Sequence, residues 1–75
     1  MLLNEFVEKF AQCFHHTDPS LIKAETRFSE LEEWGSMMTL IVIAMIDADY
    51  AKTITSEDLK RALTVADLFE IVKQK

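Results

Sequence analysis

Seventy-five residues contain one glycine, one proline, one cysteine and one tryptophan. So little glycine and proline excludes a disordered tail or a chain of several domains, and the 49% hydrophobic content points to one small domain with a single core. A lone cysteine cannot close an internal disulfide. A chain this short buries only about 60% of its unfolded surface, so stability must come from well-packed elements, and an enclosed cofactor cage is disfavoured. Basic residues are scarce as well, eight against thirteen acidic, and the net charge of −5 repels nucleic acid. Long apolar runs are missing. The run after Ser36 reaches only Ile46, about half of the ~20 residues that span a bilayer, and no basic segment followed by a cleavable apolar stretch opens the chain. The expected compartment is the cytoplasm, where Cys13 stays reduced.

Leu3, Phe6, Val7, Phe10, Cys13 and Phe14 recur at spacings of three and four, which predicts an amphipathic helix from Leu3 to Phe14, capped near Asn4. Thr17-Asp18-Pro19-Ser20 ends it, because proline disfavours helical geometry in the residue before it. Residues 17–35 have no sustained period, yet carry Leu21, Ile22, Phe28, Leu31 and Trp34. They read as a long loop, with short helical turns, pinned to the core at those points. Ser36 is an expected N-cap for a second helix from Met37 to Tyr50 that is apolar almost all round. Thr55-Ser56-Glu57-Asp58 has capping-box spacing and opens a short third helix through Leu63, and Thr64-Val65-Ala66-Asp67 repeats the device. Val65, Leu68, Phe69 and Val72 then fall at i, i+3, i+4 and i+7, with Lys73 and Lys75 favourable at the dipole's negative end. No segment alternates with period two. The fold class expected is all-α: a bundle of three main helices plus one short one, with a long loop between the first and second.

Chemistry-bearing residues are few. His15 and His16 are adjacent, so on a helix they point about 100° apart and do not chelate one metal; they read as a helix C-terminus instead. Cys13 sits on an apolar stripe, where a thiol behaves as a small hydrophobe. Glu30, Glu32 and Glu33 read as a solvated acidic loop. Ser36 lacks the Gly-x-Ser-x-Gly frame of a hydrolase elbow.

The order of features is more specific than any one of them: a first helix, a long loop ending in Phe28-x-x-Leu31, Gly35-Ser36-Met37 opening the second helix, Ile54, then Thr64-Val65 opening the last. Over nearly the whole chain this order resembles the acyl carrier protein family. The resemblance implies that Ser36 carries 4'-phosphopantetheine, attached through its hydroxyl by a phosphopantetheinyl transferase that takes the group from coenzyme A. The terminal thiol of that group, not Cys13, would hold an acyl chain as a thioester. Met37 stands where the family has leucine, and Gly35 where it has the aspartate that helps the transferase and its metal ion engage. Helix two of the family presents acids to basic patches on partner enzymes. Met38 and Ile41 stand at the matching positions here, and acids return only at Asp47 and Asp49.

The resemblance thus implies a monomeric carrier, not an enzyme, serving acyl-loading ligases or synthases of fatty acid, polyketide or related biosynthesis, with neither nucleic acid nor a membrane span involved. Its docking face is expected to be partly apolar, formed by Gly35, Met37, Met38 and Ile41, because burying Met or Ile contributes about 1.5 to 3 kcal/mol against about 0 to 1 for a surface ion pair. Leu40, Val42, Ile43, Ile46, Leu59, Leu63, Leu68 and Phe69 are the expected core, able to open to an apolar cargo. The rival reading is a carrier-shaped domain without the modification, working as a protein-interaction module through Met37, Met38 and Ile41.

Overall fold

A computed structural model describes residues 1–75 as an all-α protein. Helix α1 runs Leu3–Gln12, α2 Ser36–Tyr50, α3 Ser56–Arg61 and α4 Val65–Lys73, with single 3-10 turns at Pro19–Leu21 and Phe28–Glu30 in the long loop. The expected class and element order are those observed, and the boundaries differ for local reasons.

Helix α1 begins with Leu2 at its N-cap rather than with Asn4, and it stops before Phe14. Cys13 and Phe14 tighten onto the carbonyls of Phe10 and Ala11, and the next N–H groups, of His15 and His16, donate to the Glu33 carboxylate instead of continuing the helix. Helix α3 ends two residues short of Leu63 because the N–H groups of Leu63 and Thr64 both donate to Asp67 Oδ2 at 3.1 Å. Both expected capping boxes form, Thr55 with Asp58 and Thr64 with Asp67, each hydroxyl accepting from the N3 backbone while the acid accepts from the cap. Such caps contribute about 1 kcal/mol each. Ala51 closes α2 in the left-handed conformation, φ 55°, with its N–H donating to the Asp47 carbonyl at 3.0 Å.

The core joins Phe6, Phe10 and Phe14 of α1 and its exit to Val42 and Ile46 of α2, Leu59 of α3, and Val65, Leu68, Phe69 and Val72 of α4. Phe10 sits 5.4 Å from Phe14 and 5.5 Å from Phe28, ring centre to ring centre, and Phe6 sits 5.5 Å from Phe69. The edge-on Phe10–Phe28 contact places the long loop against α1. The loop is pinned by buried Ile22 and Phe28 and half-buried Leu31 and Trp34, but Leu21, expected among the pins, is 64% exposed. Backbone bonds add two more anchors: Val65 N–H to the Thr26 carbonyl at 3.2 Å and Ala66 N–H to the Ala24 carbonyl at 2.9 Å. The loop thereby satisfies donors that the first turn of α4 would otherwise leave open.

Leu40 and Leu63 depart from the expected core, 68% and 60% exposed, while Ile43 is partly buried. No helix is long and apolar enough to cross a membrane.

Candidate functional site

Ser36 is not the cap of α2 but its first residue; Gly35 holds the N-cap position, with extended backbone and no side chain to cap with. The first backbone bond of the helix is Thr39 N–H to the Gly35 carbonyl at 3.0 Å, and the Thr39 hydroxyl donates to the same oxygen at 3.1 Å. No group of the protein accepts from the N–H groups of Ser36, Met37 or Met38, and the first turn carries no acid. Ser36 is exposed, and its hydroxyl makes no internal hydrogen bond. The combination is a free hydroxyl beside three open backbone donors at the positive end of a 15-residue helix.

What fixes this corner is the segment just before it. Trp34 packs edge-on against Phe28, centroids 4.9 Å apart, and stacks over Phe10 at 6.3 Å. Glu33 accepts from the backbone of His15 at 2.9 Å, the backbone of His16 at 3.0 Å and the Thr17 hydroxyl at 2.8 Å. Desolvation pushes the Glu33 pKa up, but those three hydrogen bonds outweigh it and hold the carboxyl below its ordinary value. Glu33 is therefore a structural clamp and not a solvated acid of the loop. Glu30 pairs with Arg27 at 3.7 Å, and Glu32 is exposed.

The expected docking residues separate. Met37 is 74% exposed, but Met38, one residue on, is 4% exposed and belongs to the core. Ile41 is partly buried. The solvent face of α2 is formed by Met37, Leu40, Ala44, Asp47 and Ala48, so Leu40 takes the surface place expected of Met38. Sequence reasoning had no local signal for this, since a helix apolar all round has no phase to read. A shallow groove of about 270 Å³ runs along the other flank between His15, His16, Glu33, Met37, Met38 and Ile41.

The remaining candidates lie beside this corner or within the core. His15 and His16 lie beyond the helix end, exposed, and no group of three or more His, Cys, Asp or Glu side chains is placed to hold a metal ion. Burial, and then the negative charge of Asp49, raise the Cys13 thiol above its ordinary value, the reverse of an activated nucleophile. No family model, curated protein or solved structure matches the chain.

Proposed function

We propose that this chain is a discrete acyl carrier protein, modified at Ser36 with 4'-phosphopantetheine and acted on by partner enzymes rather than catalysing a reaction itself. The observation that carries this reading is the state of Ser36: an exposed, unbonded hydroxyl at the first residue of the long helix, following a loop clamped on both sides. A phosphodiester there meets the unpartnered N–H groups of Met37 and Met38 and no first-turn carboxylate, a setting that favours an anion. The group, when bound, supplies a thiol that carries an acyl chain as a thioester. The chain's own residues present it. Gly35 leaves the approach to the hydroxyl open, Thr39 ties the first turn down, and Met37 and Leu40 offer an apolar face to a transferase and then to acyl-loading ligases or synthases of fatty acid, polyketide or related biosynthesis. The reading places the chain in the cytoplasm as a monomer.

The second reading is an unmodified carrier-shaped module that binds proteins through the same face, favoured by the exposure of Met37 and Leu40 and by glycine at position 35. One experiment separates the two: incubation with coenzyme A and a broad-specificity phosphopantetheinyl transferase, followed by intact mass. Addition of one phosphopantetheine that is absent in Ser36→Ala supports the carrier. An unchanged mass with several transferases supports the module.

A further inference from the structure

The cavities of the structure are lined only by residues 3 to 41, and neither α3 nor α4 borders any of them. One reaches the start of α2: the groove of about 270 Å³ with Met37, Met38 and Ile41 on one side and His15, His16 and Glu33 on the other. Met37 and Ile41 stand one turn apart in the same row of the helix, so their side chains line up along it, and Met38, 4% exposed, forms the buried part of that wall. The facing wall is fixed. Glu33 holds it by accepting from the backbone of His15 and His16 and from the Thr17 hydroxyl. The two imidazoles are not spent in the same way: both histidines are exposed, and neither ring makes a hydrogen bond or ion pair within the protein. Across the helix from the groove the only polar side chain of the first turn, Thr39, is used up on the Gly35 carbonyl at 3.1 Å.

We propose that Met37, Met38 and Ile41, with the imidazoles of His15 and His16, form a cradle that holds the pantetheine arm on the α1 side of Ser36, an inference that rests on the carrier reading. The arm carries two geminal methyl groups close to its phosphate and two amides further along. An apolar wall that starts one residue after Ser36 suits the methyl groups, and imidazoles, each with a donor and an acceptor nitrogen, suit the amides. Met37 has two roles, since it lines the groove and is also 74% exposed on the face it shares with Leu40. A partner that covers Met37 takes one wall of the cradle away and frees the arm, so docking and presentation of the thiol are coupled.

The test uses the whole chain, labelled with carbon-13 and nitrogen-15 and loaded from unlabelled coenzyme A by a phosphopantetheinyl transferase, with intact mass read first. Isotope-filtered NMR then shows NOEs from the geminal methyl protons of the arm to the side-chain methyls of Met37 and Ile41, and from the arm to a ring proton of His15 or His16. Met37→Ser, at an exposed position, keeps the fold and the added mass and loses the NOE at Ile41. NOEs to Ile54, Leu59 or Ala62 instead, no NOE to the protein, or an undiminished NOE at Ile41 in Met37→Ser overturns the cradle and leaves the carrier reading standing. A chain that gains no mass overturns the carrier reading and the cradle with it.

Discussion

The Glu33 carboxylate accepts the backbone N–H of His15 at 2.9 Å across 18 positions of sequence, and with it binds the exit of α1 to the segment that delivers Ser36. Because hydrogen bonds to the ionised form hold the Glu33 pKa below 4.5, its stabilisation is fully present above that value and is lost as pH falls through the lower folded-state value. Glu33→Gln keeps the size and one acceptor oxygen but removes the charge and the second acceptor. Its thermal midpoint falls below that of the wild type near neutral pH, and the gap narrows as pH drops below 4.5 and closes once pH has passed the lowered folded-state value, where the wild-type carboxyl is itself neutralised. Circular dichroism melts of both proteins across that range check this; a constant gap refutes the clamp as a charge effect.

Which parts of this corner could be read in the sequence follows from the range of the forces. Thr55-Asp58 and Thr64-Asp67 were legible because a capping box is closed within four residues, and the Val65, Leu68, Phe69, Val72 stripe because α4 has one wet side. The Glu33 clamp was not, because its partners lie at positions 15 to 17 and no local pattern distinguishes an acid that will be captured from one that stays in water. The same capture moved the end of α1. Ser36 was placed one residue off its role: the serine reads as a cap by propensity, yet the chain caps with Gly35 and leaves the hydroxyl free. The proposed modification of Ser36 rests on the resemblance, with the open N-terminus of α2 as its physical support.

Asp58 carries the main acid sensitivity. The Thr55 N–H first, with Lys75 and Arg61, holds its pKa at about 2 against desolvation, from an ordinary 3.8. A depressed carboxyl stabilises above 3.8 and loses that stabilisation between 3.8 and about 2. Linkage sets a ceiling of about 2.4 kcal/mol, and screening of the half-exposed cations lowers the expected loss to about 1 to 2 kcal/mol. Urea unfolding at intervals over this window shows the wild type losing that much more stability than Asp58→Asn, which keeps the cap acceptor and retains only the slope of the other carboxylates. Parallel curves refute it.

Two neighbouring methionine-sized positions on α2 should behave oppositely. Met38→Ala empties a site with 4% exposure and costs about 2 to 4 kcal/mol, whereas Leu40→Ala, at 68% exposure, stays within about 0.5 kcal/mol. Denaturant midpoints give both numbers. If Leu40→Ala proves the costlier, the phase of α2 is rotated and the proposed apolar face must be redrawn around Met38.

Glycine at position 35 is not required by the fold. A Cβ there meets nothing within 4 Å, and φ −178°, ψ −169° is extended backbone open to any residue. Gly35→Asp places a carboxylate next to the unpartnered Met38 N–H at the head of a helix whose first turn has no acid. A cap in place of glycine and a charge at the dipole's positive end add about 0.5 kcal/mol, a rise of about 2 to 4 °C in Tm for a domain of this size. The same carboxylate restores what the resemblance says a transferase with its metal ion engages, so phosphopantetheine transfer to Ser36 becomes faster in Gly35→Asp than in wild type, with Gly35→Ala unchanged. Intact mass against time, alongside the melts, reads both effects. A stabilised Gly35→Asp that is modified no faster than wild type assigns position 35 to the helix alone, and the wild-type glycine then has no bearing on which transferase recognises Ser36.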